Sequence, residues 1–162
     1  MAVLHFICGK AGAGKTTLAR QLARDMPAEC ICEDEWLSRV DPPISTVADY
    51  LAHSARLRSA LGPHIIARLK SGVSVVLDFA GNTPREREWV RSLFETADTP
   101  HVLHHLRADD DACRRRVHRR NVEQPAGVFF GVVTDAQLED VNRLFAEPSP
   151  SERFTVQERA VD

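Results

Sequence analysis

The sequence predicts an α/β fold in three layers, with a mostly parallel central sheet of about five strands between two layers of helices. Three observations predict it. Apolar runs of strand length alternate with segments of helical periodicity along the whole chain. Because helical stretches separate the strands, the connections are crossovers and the strands run parallel. The run Gly9-Lys10-Ala11-Gly12-Ala13-Gly14-Lys15-Thr16 lies between the first strand and the first helix, with the spacing G-x-x-x-x-G-K-[ST] of a phosphate-binding loop. The expected architecture is therefore a P-loop NTPase fold, in one domain over residues 1–162.

Each element has its own signal. Residues 3–8 (VLHFIC) read as a buried strand, and residues 17–24 as the amphipathic helix behind the glycine-rich loop. Residues 29–32 read as a short second strand ending at Glu33-Asp34-Glu35. Asp41-Pro42-Pro43 breaks the chain. Residues 46–60 then read as a helix, with Val47, Tyr50, Leu51, Leu57 and Leu61 available for its apolar face. Gly62-Pro63 is expected to interrupt it, with Pro63 starting a second helix that Ser71-Gly72 stops. Residues 73–78 (VSVVLD) are nearly all apolar, as a central strand covered on both faces requires. Thr83-Pro84-Arg85-Glu86 combines an N-cap, a first-position proline and a glutamate three residues on, which opens a helix burying Trp89, Val90, Leu93 and Phe94. Residues 101–106 form a fourth strand. Asp109-Asp110-Asp111 places acids at the start of a helix reaching about Arg120, where the helix dipole favours them. Gln124-Pro125-Ala126-Gly127 is a loop, and Thr134-Asp135-Ala136-Gln137 opens another capped helix. Residues 154–156 read as a last strand.

Composition bounds the function. The chain has 162 residues and a net charge of −2, so there is no bulk attraction to nucleic acid or to an anionic membrane. No apolar run has the length and flanks of a signal peptide or a membrane span, so a cytoplasmic protein with no membrane partner is expected. The four cysteines lack metal-ligand spacing. They read as reduced thiols, with Cys8 and Cys113 at core positions. His104 and His105 are neighbours on a strand, face opposite ways, and read as ordinary strand and surface histidines.

The loop itself names the ligand class. Backbone amides of Gly9, Ala11, Gly12, Ala13, Gly14, Lys15, Thr16 and Thr17 would surround phosphate oxygens at a helix N-terminus. Lys15 would reach the β- and γ-phosphates and the Thr16 hydroxyl would ligate Mg²⁺, so ATP with Mg²⁺ is expected. Asp78 ends an apolar strand, where a second carboxylate commonly completes the Mg²⁺ site. In open α/β sheets ligands gather at the carboxyl ends of the strands, which brings Gly9, Asp34, Asp78 and residues 107–109 to one edge. Asp34 then stands near the γ-phosphate as a general base for an acceptor hydroxyl, with Glu33 and Glu35 as competitors. Arg114, Arg115, Arg116, Arg119 and Arg120 form the densest charge cluster. With the following loop they suggest a lid at about residues 114–133. Arg85 and Arg87 read chiefly as helix-surface arginines, although Arg85, like Arg39, could contact substrate.

Four segments together resemble the small P-loop kinases related to polynucleotide 5′-hydroxyl kinases, zeta-type toxins and antibiotic phosphotransferases. They are the glycine-rich loop 9–16; Glu33-Asp34-Glu35-Trp36; Leu77-Asp78 with Asn82-Thr83-Pro84-Arg85-Glu86-Arg87; and Arg116-x-x-x-Arg120-Asn121. The resemblance implies a kinase with Asp34 as base, Lys15 and Thr16 at the ATP·Mg²⁺ site, and Arg116 and Arg120 as catalytic arginines of the lid. Polynucleotide kinases of this kind carry an arginine soon after the base. Here Trp36-Leu37 stand there and Arg39 comes later. A small-molecule hydroxyl is thus the expected acceptor, with a 5′-hydroxyl nucleic acid as the alternative. A GTPase-like switch is a further alternative, since Asp78-Phe79-Ala80-Gly81 matches D-x-x-G, but no N-K-x-D follows to select guanine. A nucleotide-binding module without catalysis is another.

Overall fold

Short apolar segments become strands here because both faces of the sheet are covered, and the element order follows from that. The computed structural model of the protein describes residues 1–40 and 43–161. In chain order it has β1 (Leu4–Cys8), α1 (Lys15–Asp25), β2 (Ala28–Cys32), α2 (Glu33–Leu37), α3 (Val47–Lys70), β3 (Ser74–Asp78), α4 (Pro84–Ala97), β4 (His101–Ala108), α5 (Asp110–Glu123), α6 (Asp135–Leu144), a 3₁₀ turn (Pro150–Glu152) and β5 (Val156–Val161). The five strands form one sheet in the order β2-β3-β1-β4-β5, every pair parallel. Register runs Leu4 to Val75 and to His101, and Cys32 to Asp78, so the carboxyl ends of β1, β2 and β3 lie side by side.

Alternation along β1 divides the core. Leu4, Phe6 and Cys8 join Val75, Leu77, Ile65, Leu69, Val90 and Leu93 beneath α3 and α4. Ile7 joins Leu18, Leu22, Val76, Leu106 and Cys113 beneath α1 and α5. This is the three-layer arrangement the sequence predicts. No helix among the described residues is long and apolar enough to cross a membrane.

Five expectations change. The chain does not break at Gly62-Pro63: α3 is continuous from Val47 to Lys70 with Pro63 inside it. Leu57, Leu61, Ile65, Ile66 and Leu69 pack on the core on both sides of Pro63, and that burial outweighs the lost Pro63 amide. Leu51 is 59% exposed and so is not part of the apolar face. Residues 33–37 form a turn of helix rather than a strand end. The last strand begins at Val156, two residues later than expected. The adjacent histidines are buried rather than superficial, as is His5. The Arg159 guanidinium, which only donates, gives its Nε–H to His104 Nδ1 at 3.3 Å, so His104 Nε2 carries the proton bonded to His5 Nδ1 at 3.1 Å. Burial, with Arg159 and His5 nearby, holds the His104 imidazole down at about 4.

Candidate active site

The glycine-rich loop is shaped by two left-handed glycines. Gly14 has φ +98° and is the N-cap of α1, and Gly12 has φ +82°. A Cβ on Gly12 would stand 2.4 Å from the Cys113 carbonyl oxygen of α5, so the close approach of loop and helix also demands glycine. Ala11, Gly12, Gly14, Lys15, Thr16 and Thr17 line one cavity of about 580 Å³. Ala13 is packed into the core and Gly9 lies behind the wall against Leu106.

The Lys15 ammonium donates to the carbonyls of Gly9 at 2.8 Å and Lys10 at 3.0 Å, folded onto its own loop. Burial lowers its pKa, against the pull of Asp78 and Asp34. The Thr16 hydroxyl donates to Asp78 Oδ2 at 2.6 Å, which joins the two oxygen donors at the carboxyl end of β3. Asp78 is 7% exposed.

The three acids of α2 separate by function. Glu33 is buried and accepts from the Ser54 hydroxyl at 2.5 Å, the Ala80 amide at 2.8 Å and Arg58 Nε at 3.4 Å. It fastens α2 to α3 and to the segment after β3. Glu35 points outward to Arg39 at 2.8 Å. Asp34 lines the cavity, and its carboxylate has no hydrogen-bond partner among the described residues. Asp34 is an exposed residue at the cavity surface; crowding by the surrounding atoms, then Asp78 and Glu33, raise its pKa from 3.8 to about 6, while Lys15 and Arg120 pull the other way. A raised carboxyl suits a proton acceptor poised near neutrality.

From α5, Arg116, Arg119 and Arg120 line the cavity, and Arg116 donates to the Gly12 carbonyl at 3.4 Å. The Arg120 Nε–H is buried without a partner among the described residues. Arg114 instead pairs with Glu139, and Arg115 is exposed. The Asn121 side chain donates to the Val133 carbonyl at 2.7 Å and accepts from the Val133 amide at 3.1 Å, closing the loop between α5 and α6.

Thus Lys15, Thr16, Asp34, Asp78, Arg116 and Arg120 come together around one cavity, whereas Arg39 and Arg85 do not line it. Arg39 is held outside by Glu35, and Arg85 is an exposed residue of the first turn of α4. Sequence reasoning missed Tyr50 and Asn82, which also line the cavity. Tyr50 carried only the signal of a helix core residue. Arg87 is corrected outright. Far from being a surface arginine, it is fully buried, bonded to Glu152 at 2.6 and 2.9 Å and to the Gly81 and Ala146 carbonyls at 2.8 and 2.9 Å. It ties the segment after α6 to the turn after β3.

A family model described as AAA domain matches residues 4–148. The chain belongs to this AAA domain family. A comparison with curated proteins found no relative. Among solved structures, this AAA domain protein is similar to one from Chloroflexus aurantiacus provisionally described as a kinase, at 18% identity and TM-score 0.74, covering 98% of this chain and 88% of that one. It is also similar to Kti12 of Chaetomium thermophilum in complex with ADP-AlF3 (20% identity, TM-score 0.69, 98% and 89% covered). A third is a sugar kinase from Janibacter sp. (18% identity, TM-score 0.64, 99% and 86% covered). At these identities the likeness is one of fold, the P-loop NTPase fold.

Proposed function

We propose that this AAA domain protein is an ATP-dependent phosphotransferase that moves the γ-phosphate to a hydroxyl of a small molecule. The observation that carries this reading is that Asp34, an unpartnered carboxyl raised to about 6, faces the same cavity as Lys15 and the Thr16–Asp78 pair. A nucleotide-binding module needs the loop but has no use for such a group.

The hydroxyl of Thr16 and carboxylate of Asp78 are hard oxygen donors and fit Mg²⁺, which when bound would neutralise charge on the β- and γ-phosphates. The backbone amides of residues 11–17 hold the phosphate chain. Lys15 exchanges the Gly9 and Lys10 carbonyls for phosphate oxygens. Asp34 accepts the proton of the acceptor hydroxyl as its oxygen bonds to the γ-phosphorus and the bond to the ADP oxygen breaks. Arg116 and Arg120 act as a lid, stabilising charge on the transferred group and excluding water. The unpartnered Arg120 Nε–H is available for that contact.

Lys15→Ala tests the reading. Expected is loss of ATP consumption by at least about 100-fold with an unchanged circular dichroism spectrum. Undiminished phosphoryl transfer in that variant refutes the assignment.

A further inference from the structure

The carboxylate proposed as the base stands on little structure of its own. The ladder between β2 and β3 ends at the pair Cys32–Asp78, and Asp34 lies two residues past it, on α2. That helix has five residues and, among the described residues, no side-chain cap. It is too short to hold its shape by its own backbone bonds. Its outer side makes surface ion pairs, Glu35 with Arg39 at 2.8 Å and with Arg20 at 4.0 Å. Such pairs contribute little. Its inner side buries Leu37 at the far end and Glu33 directly beside Asp34.

Glu33 carries the junction of β2 and β3 beyond that last pair. Its Oε2 accepts the Ala80 amide at 2.8 Å, and its Oε1 accepts the Ser54 hydroxyl at 2.5 Å and Arg58 Nε at 3.4 Å. Arg58 in turn donates to the Ala80 carbonyl at 2.8 Å and lies over the rings of Phe79 and Trp89 at 5.4 and 4.9 Å. The N–H and the C=O of Ala80 are thus both held by the Glu33–Arg58 pair. Ala80 follows Asp78 by two residues. A short path therefore joins Asp34 to the Thr16–Asp78 pair: along the chain to Glu33, through its carboxylate to Ala80, and along the chain to Asp78. Glu33 is 2% exposed with both oxygens engaged, so it does not serve as the base itself. The charged groups that act on Asp34 are Asp78 of β3, Glu33 of α2, Lys15 of α1 and Arg120 of α5, with Tyr50 of α3 close by.

We infer that Glu33 is the positioning residue for Asp34, fixing it through Ala80 and Arg58 against the Thr16–Asp78 pair. This inference rests on the phosphotransferase reading and names what makes Asp34 competent in it. A glutamine at position 33 keeps the shape but replaces one oxygen with an NH₂ group. Turned one way, that group meets the Ala80 N–H; turned the other, it meets the Arg58 Nε–H. One donor faces another in either case. The negative charge beside Asp34 is lost as well, and Arg58 keeps its positive one, so the Asp34 carboxyl releases its proton more readily.

The test measures γ-phosphate transfer from labelled ATP with Mg²⁺ to water and to glycerol, beside ATP affinity by calorimetric titration and the Asp34 carboxyl titration by carbon-detected NMR. Glu33→Gln should lower kcat about 10- to 100-fold with ATP affinity unchanged. Its Asp34 midpoint should fall by at least about half a pH unit. Ser54→Ala removes one bond to Glu33 and keeps the charge, so kcat should fall about 3- to 10-fold while the Asp34 midpoint stays in place. For folded Glu33→Gln, a kcat within about threefold of wild type, a loss of ATP affinity in step with kcat, or an unmoved Asp34 midpoint overturns the inference and leaves the phosphotransferase reading standing. If Glu33→Gln does not fold, Ser54→Ala decides, and undiminished kcat there overturns the inference. Wild-type protein that binds ATP and transfers phosphate to neither water nor glycerol overturns the underlying reading itself.

Discussion

Replacing Asp34 with asparagine separates function from stability in opposite directions. Crowding by the surrounding atoms and the nearby Asp78 and Glu33 raise the carboxyl from 3.8 to about 6. At about 1.4 kcal/mol per pH unit this corresponds to at most about 3 kcal/mol favouring the neutral form. Asp34 is exposed to solvent, and such screening leaves about 1 kcal/mol. A carboxyl whose pKa is higher in the folded than in the unfolded chain contributes stability in full below about pH 4. That contribution is lost as pH rises through about 6. The asparagine side chain is neutral throughout. Asp34→Asn should therefore raise Tm by about 2–4 °C at pH 7.5, with the gap closing below about pH 4. Phosphoryl transfer should fall by about 10²–10⁴-fold with ATP affinity retained. In wild type, kcat should climb with pH to a plateau above about 6. Differential scanning calorimetry across pH 3.5–8, with label-transfer kinetics over the pH range where the protein stays folded, measures all three. A lower Tm at pH 7.5, or transfer within threefold of wild type, refutes the reasoning that makes Asp34 a strained base.

Gly12→Ala should abolish ATP binding in calorimetric titration and lower Tm by several degrees, because its Cβ would meet the Cys113 carbonyl at 2.4 Å at a φ of +82°; normal affinity would contradict the loop geometry. Arg87→Met should destabilise by about 3–5 kcal/mol in urea denaturation, since it strands Glu152 and two carbonyls. A loss below about 1 kcal/mol would show that the buried cluster is not fastening the segment after α6. Pro63→Ala should stabilise by about 1–3 kcal/mol in the same assay, by restoring a donor inside α3; destabilisation would mean that the proline ring itself is needed at that position.

What was legible followed from local chemistry. The capping boxes at Thr83 and Thr134, the apolar run of β3 and the glycine-rich loop each specify their structure within a few residues. They sufficed for the sheet, its direction and the grouping of Lys15, Thr16, Asp34 and Asp78. What was not legible depends on residues distant in sequence. Arg87 looks like any helix arginine until Glu152 and Ala146, about sixty residues on, close over it. The helical turn at residues 33–37 exists because Ser54, Arg58 and Ala80 converge on Glu33. Pro63 ends helices by local rule, and only the packing of Ile65 and Leu69 against the sheet carries α3 through it. Arg39 and Arg85 offered charge without place, and the fold turned both away from the cavity.

Asn121 has the widest reach of the small contacts. Its amide copies the donor and acceptor pair of a peptide group and grips Val133 as a neighbouring strand would. The clasp joins α5, which bears Arg116 and Arg120, to the residue just before the Thr134 cap of α6. With the Arg114–Glu139 and His118–Asp135 pairs it holds α5 and α6 together at three points, so neither helix shifts without the other.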